Sequence, residues 1–318
     1  MLNMESENKI NDNNLVFHIG YHKTGSSFLQ KQVFENNKTF NRINEYNINR
    51  AIIQQGPFHF DVNQAKEFIK NESRENTINV FSNERLSGDP HSGGRDAKEI
   101  AERIKMIAPS AKILIVVREQ ISAILSSYSQ YIRAVGSLSL SEYINPTSKR
   151  DMLRFRKEHF EYHHLISYYV ELFGKEKVLC IPFELLAIDP HLFVTTILDF
   201  LKLRSTQKET VLKNIDYKTI NASLNFKQII LKRYFNPFIN HHQKDLANTY
   251  NFILAKNLYS FLNRLLQNKV NDKKSIKFNK SQKELIVNSF GAGFFENSNK
   301  KLQKHITFDL KSLGWFNY

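Results

Sequence analysis

Phe17 to Gln30 reads FHIGYHKTGSSFLQ, an apolar strand that runs into a glycine-flanked Lys-Thr-Gly-Ser-Ser and then into helical spacing. A chain with this junction builds a cradle for phosphate. Glycine lets the backbone approach the ligand, the first amides of the helix point at it, and the helix dipole favours negative charge there. Lys23, Ser26 and Ser27 add a cation and two hydroxyls to the same nest.

The junction opens an alternating pattern. Leu15 to Ile19 reads as a strand and Gly25 to Asn36 as a helix burying Leu29 and Val33. Thr77 to Ser82 is a second strand, followed by Asn83-Glu84-Arg85 and a turn at Ser87-Gly88-Asp89-Pro90. Asp96 to Ile107 is helical. Lys112 to Val117 (KILIVV) is a continuous apolar run, as in a strand covered on both faces of a parallel sheet, and it ends at Arg118. From Glu119 to Ala134 apolar residues repeat at helical spacing, with Ser122, Ser126, Ser129 and Arg133 on another face. Helix Phe160 to Phe173, strand Lys177 to Pro182 and helix His191 to Leu203 continue the series, so the fold class is α/β with a parallel sheet flanked by helices. After Thr206 no strand is expected, only helices over Phe226 to Tyr234, Lys244 to Gln267 and Ser281 to Phe295, with a basic linker Asn268 to Lys280.

At 318 residues, 41% apolar and 24% charged, the chain has the composition of a globular protein with a sizeable core. No apolar run is long enough for a membrane span, and the polar residues 1–14 have no signal-peptide core and are expected to be disordered; a cytoplasmic protein is the expectation. Cys180 is the single cysteine, which excludes an intrachain disulfide, and no Cys/His cluster suggests structural zinc. The formal charge of +14 is uneven: residues 1–148 hold 17 basic and 16 acidic side chains, residues 149–318 hold 28 and 15. Such asymmetry suits an anionic partner, whether an acidic glycan, a nucleic acid or, by peripheral contact, a phospholipid surface; it equally suits a lysine-rich solubilising surface.

Ligands of an open α/β sheet sit at the carboxyl ends of its strands, and the three sharpest polar segments fall there. Lys23 with Ser27, Glu84 and Arg118 should therefore converge on one crevice. The loop is not a Walker A sequence, because the lysine precedes the second glycine, and neither Val80-Phe81 nor Val116-Val117 leads into a magnesium-binding aspartate. That pattern argues against ATP or GTP hydrolysis, and no metal is expected.

With these residues in view, the chain resembles the sulfotransferase family that uses 3′-phosphoadenosine-5′-phosphosulfate (PAPS), especially bacterial members and Golgi-type carbohydrate sulfotransferases. Lys23-Thr24-Gly25-Ser26-Ser27-Phe28-Leu29-Gln30 is similar to the family's 5′-phosphosulfate loop. Arg118, with Ser126 eight residues on, is similar to its 3′-phosphate site. Val178 to Leu186, Ser298 to Leu302 and Leu310 to Trp315 resemble further stretches of bacterial members.

The resemblance implies a P-loop-like α/β sandwich forming one domain over residues 15–318, with a PAPS-binding core at 15–205 and a helical extension at 206–318. It implies sulfuryl transfer from PAPS to a hydroxyl, or less readily an amine, of a carbohydrate acceptor such as a capsular or lipopolysaccharide-type glycan, with adenosine 3′,5′-bisphosphate (PAP) as product. Lys23 would stabilise the leaving phosphate, and Ser26, Ser27 and the loop amides from His22 to Phe28 would hold the 5′-phosphate. Arg118 and Ser126 would clamp the 3′-phosphate. Glu84 would be the base, because the family places its glutamate or histidine at the end of that strand; His22, His59 and His91 are weaker candidates for base or acceptor contact. Phe28 replaces the tryptophan usual in cytosolic members, stacking on adenine or packing beneath it. The Arg-Lys-Gly closing loop is absent, and Lys218 and Ser223 are the nearest substitutes. Two rival readings stay open: a magnesium-dependent nucleotide kinase of the same fold, and a non-catalytic nucleic-acid binder working through the basic half.

Overall fold

In the computed structural model, residues 14–134, 136–146, 154–217, 226–239, 257–264 and 280–316 are described. Five strands form one parallel sheet: β1 (Leu15–Gly20), β2 (Phe40–Arg42), β3 (Ile78–Ser82), β4 (Lys112–Val117) and β5 (Val178–Pro182), in the order β2-β3-β1-β4-β5. β1 is central, with Phe17 opposite Phe81 of β3 and Ile113 of β4. Alternate residues of β1 serve opposite faces, as the pleat requires. Leu15, Phe17 and Ile19 join the core cluster that includes Ile104 and Tyr169, whereas Val16 joins Leu29, Val116 and Phe193 on the other side.

The helices that carry the site are α1 (Ser26–Phe28), α2 (Ala97–Ile107), α3 (Gln120–Arg133), α4 (His163–Phe173), α5 (Phe183–Ile188), α6 (Pro190–Phe200) and α7 (Glu296–Gln303). Helix α1 runs straight into a π-helical turn, Leu29–Phe34, where a uniform α-helix was expected. The wider turn brings Leu29, Gln30, Val33 and Phe34 all into buried positions, more than one narrow α-helical stripe could place.

The elements found where no regular structure was expected include the three-residue edge strand β2 and a helix Val62–Glu72 capped by the Asp61 carboxylate on the amides of Asn63 and Gln64. The expected helix Ser281 to Phe295 ends instead at Phe290, because Gly291 turns left-handed at φ 91° and a new helix, α7, starts at Glu296. Of Lys244 to Gln267 only residues 257–264 are described, and they are helical; the linker expected over Asn268 to Lys280 lies outside the described residues except Lys280, which begins a helix. Among the described residues no helix is long and apolar enough to cross a membrane.

Candidate active site

The end of β1 is tied down on both sides. The Tyr21 amide donates to the Val116 carbonyl at 3.3 Å, and the Ser87 hydroxyl to the Gly20 carbonyl at 3.4 Å. The loop that follows bends through two left-handed residues, Lys23 at φ 66° and Gly25 at φ 84°. For a lysine that conformation costs about 1–2 kcal/mol, and the surrounding contacts must hold it. The buried Thr24 hydroxyl donates to the Tyr21 carbonyl at 2.5 Å, so its side chain helps to shape the loop. Lys23 and Ser27 are exposed, whereas Ser26 is buried and its hydroxyl has no partner of good hydrogen-bond geometry. A Cβ on Gly20 would stand only 2.6 Å from that hydroxyl. Phe28 is buried, with its ring 6.3 Å from that of Tyr217; it packs beneath the loop and does not stand free to stack.

Glu84 opens a 3₁₀ turn, Glu84–Ser87, whose start is capped by the Asn83 side chain accepting from the Arg85 amide at 2.9 Å. This cap aims Glu84 toward the loop. Burial raises its carboxyl above the usual carboxylate range, while the Lys23 charge and the nearby Ser26 hydroxyl pull it part of the way back.

Arg118 leaves β4 and turns over the loop. One guanidinium nitrogen, Nη1, donates to the Lys23 carbonyl at 3.1 Å and to the Ser126 hydroxyl at 2.9 Å, two helical turns away on α3. Its Cζ lies 5.0 Å from the Phe183 ring centroid. The neighbouring Glu119 does not pair with it across the surface: its carboxylate caps α3, accepting from the amides of Ile121 and Ser122.

Two residues of α5 belong to this site although the residue pattern did not single them out as site residues. Phe183 is half-buried beside Arg118, and its ring would stand 3.1 Å from a Cβ built on Gly25, so the aromatic ring borders both Gly25 and Arg118. Glu184 accepts from the Glu119 amide at 2.9 Å and from the Trp315 indole at 3.0 Å. Burial raises its pKa, and the Arg118 charge is one of the groups that offset this. Asn299 of α7 bonds reciprocally with Gln120 and donates to the Trp315 carbonyl, so the C-terminal segment is stitched to the turn that carries Arg118.

Of the remaining candidates, His22 is buried beside Lys23, and His91 bonds through Nδ1 to the Tyr143 hydroxyl at 3.0 Å. His59 is exposed in the turn at 56–59. Lys218 and Ser223 lie outside the described residues. A cavity of about 610 Å³ opens beside Glu119 and Gln120, walled by Phe290, Phe294, Trp315 and Lys300; Lys23, Glu84 and Arg118 do not line it, so it is separate from the Lys23–Ser27 loop.

Residues 96–207 match the sequence model of the Sulfotransferase family, a segment that contains Arg118, Ser126 and Glu184. No curated protein matches the chain significantly in sequence. Among solved structures, a sulfotransferase from Alicyclobacillus acidocaldarius is similar at 16% identity and TM-score 0.49, covering 77% of this chain and 95% of its own. The sulfotransferase domain of the Synechococcus PCC 7002 olefin synthase is similar at 14% identity and TM-score 0.39, covering 77% and 94%. A mouse sulfotransferase complexed with PAP is similar at 13% identity and TM-score 0.37, covering 91% and 89%.

Proposed function

We propose, for a chain whose residues 96–207 match the Sulfotransferase family model, that it transfers the sulfuryl group of PAPS to a hydroxyl of a carbohydrate acceptor. The observation that carries this reading is the Arg118 guanidinium, which bonds both the Lys23 carbonyl and the Ser126 hydroxyl and so joins a loop fit for one phosphate to a clamp fit for a second. A donor with phosphates on both its 5′ and 3′ positions matches that spacing of functions; a nucleoside monophosphate uses only half of it.

The residues fit such a donor. The buried Ser26 hydroxyl beside Glu84 and the amides of Ser26 and Ser27 at the start of α1 offer donors to a 5′-phosphosulfate, and Lys23 adds the cation. Arg118 and Ser126 take the 3′-phosphate, and Phe183 offers a half-exposed face to a purine between them. PAPS supplies an activated sulfuryl group when bound.

Each protein group then has a task. Glu84, with its pKa raised by burial, accepts the proton of the acceptor hydroxyl, because a carboxylate poised closer to neutrality is the better base. Lys23 faces the same carboxylate and neutralises charge that develops on the departing phosphate, where a fixed cation is worth most. The basic excess of residues 149–318 supports an acceptor assembly that carries negative charge somewhere along its length.

The test is PAP release from PAPS in the presence of polysaccharide acceptors. Acceptor-dependent release with sulfate recovered on the glycan supports the reading. PAP release without any sulfated product, or ATP turnover that needs magnesium, would replace it.

A further inference from the structure

Beside Lys23 and Glu84 lies a second group of polar side chains that the donor site does not use. His22, His91, His159, Arg85 and Asp89 lie close enough to feel one another's charge. The Tyr21 ring packs against that of His159 at 5.1 Å, placing the cluster directly behind the phosphate loop. Glycines bring the other wall in: a Cβ on Gly94 would stand 2.2 Å from His159 Nδ1, so only glycine lets the 88–94 turn close on this imidazole.

The cluster is short of partners in a patterned way. Arg85 bonds Asp96 through Nη2 and Oδ2 at 2.9 Å, yet its Nη1 and the other Asp96 oxygen, Oδ1, are buried with no partner. His22 Nδ1 and His159 Nε2 are likewise buried and unpartnered. Orphaned buried polar atoms are uncommon and costly, and four in one cluster call for a ligand that both donates and accepts.

We propose that Arg85, Asp96, His22 and His159 form the acceptor subsite, and that it reads an uncharged sugar ring through vicinal hydroxyls. This rests on the sulfotransferase reading above. A hydroxyl is the group that can accept from Arg85 Nη1 while donating to Asp96 Oδ1, and its neighbour meets the imidazoles. Burial lowers His22 to about 4 and His159 to about 3, so both are neutral imidazoles, each with one donor and one acceptor. Arg85 is balanced by Asp96, and Asp89 together with Glu84 offsets the Lys23 charge that reaches His22, so the subsite gives no net attraction to an anionic ring. The residue that receives sulfate is therefore a neutral sugar, even where the glycan as a whole is acidic.

The experiment uses the full chain loaded with PAP, on an array of neutral, uronate-bearing and already sulfated oligosaccharides. Neutral rings with adjacent hydroxyls should bind best, and Asp96→Asn, Arg85→Gln and His159→Phe should each weaken that binding at least tenfold while PAP affinity is kept. Unchanged sugar binding in all three variants overturns the proposal and assigns the orphaned atoms to internal water. Preference for uronate rings, or no binding of any oligosaccharide while PAP still binds, overturns it too and leaves the donor site standing. Failure of PAP itself to bind sinks the sulfotransferase reading instead. Should a variant fail to bind PAP, the conservative pair Arg85→Lys and Asp96→Glu carries the same comparison.

Discussion

Arg118 Nη1 holds the Lys23 carbonyl at 3.1 Å and the Ser126 hydroxyl at 2.9 Å, so the residue expected to bind one phosphate also fixes the shape of the loop expected to bind the other. Arg118→Lys should therefore weaken both. A lysine keeps the charge but loses the planar fork, and a charge-assisted hydrogen bond is worth about 1.5–3 kcal/mol, so PAP affinity should fall tenfold or more by calorimetry. Ser126→Ala, which spares the Lys23 contact, should fall less and should leave AMP binding unchanged.

Glu84→Gln should keep PAP affinity and lose at least about a hundredfold in turnover, the scale of general-base catalysis. Turnover of the unaltered enzyme should drop as pH falls through the raised Glu84 pKa, and the variant's residual activity should lack that limb. The sign for stability is opposite. A carboxyl whose folded pKa is raised favours the fold while protonated, below its unfolded value of 4.5, and this is lost as pH rises through the folded value. At pH 7 Glu84→Gln should thus melt slightly higher than the parent protein in the absence of ligand; a lower melting temperature would show that the Lys23 and Ser26 contacts outweigh burial.

Buried histidines contribute to the acid limit of the fold, His163 among them with burial lowering it to about 4. Burial lowers His18 and His159 to about 3 and His22 to about 4, against an ordinary 6.5. The unfolded chain binds these protons first, so stability is present above 6.5 and is lost as pH falls toward 4 and then 3. Thermal melts between pH 7 and 4 should fall steadily, and His18→Asn, which can still bond the Ser82 hydroxyl now 2.7 Å from Nδ1, should flatten part of the slope.

Gly20→Ala tests the cradle from beneath. Its Cβ would stand 2.6 Å from the Ser26 hydroxyl, in contact also with His18 and Thr24, so the serine must move. PAP affinity should fall while the sheet persists by circular dichroism; unaltered affinity would remove Ser26 from the donor site.

Much of this was legible in the residue pattern because it is local. The Lys23 to Ser27 loop, the strand KILIVV ending at Arg118, and Ser126 two turns along α3 are each set by neighbours in sequence. Glu84 could be placed because it follows a strand directly. Glu184 could not be given its role, since its partners Glu119 and Trp315 are 65 and 131 residues away and no periodicity links them. Strand β2 escaped because three residues carry too little alternation, whereas the Asp61 cap of helix Val62–Glu72 was a readable signal. His159 and the Arg85–Asp96 pair gave no sign, because what marks them is a missing partner, and that exists only once the chain is folded.

The central claim is that one site reads two phosphates, and a calorimetric titration of PAP and of AMP without magnesium tests it most directly. PAP should bind at least tenfold tighter than AMP, a preference narrowed in Ser126→Ala, where Arg118 remains. Equal affinities for the two nucleotides, or binding that appears only with magnesium, would contradict it.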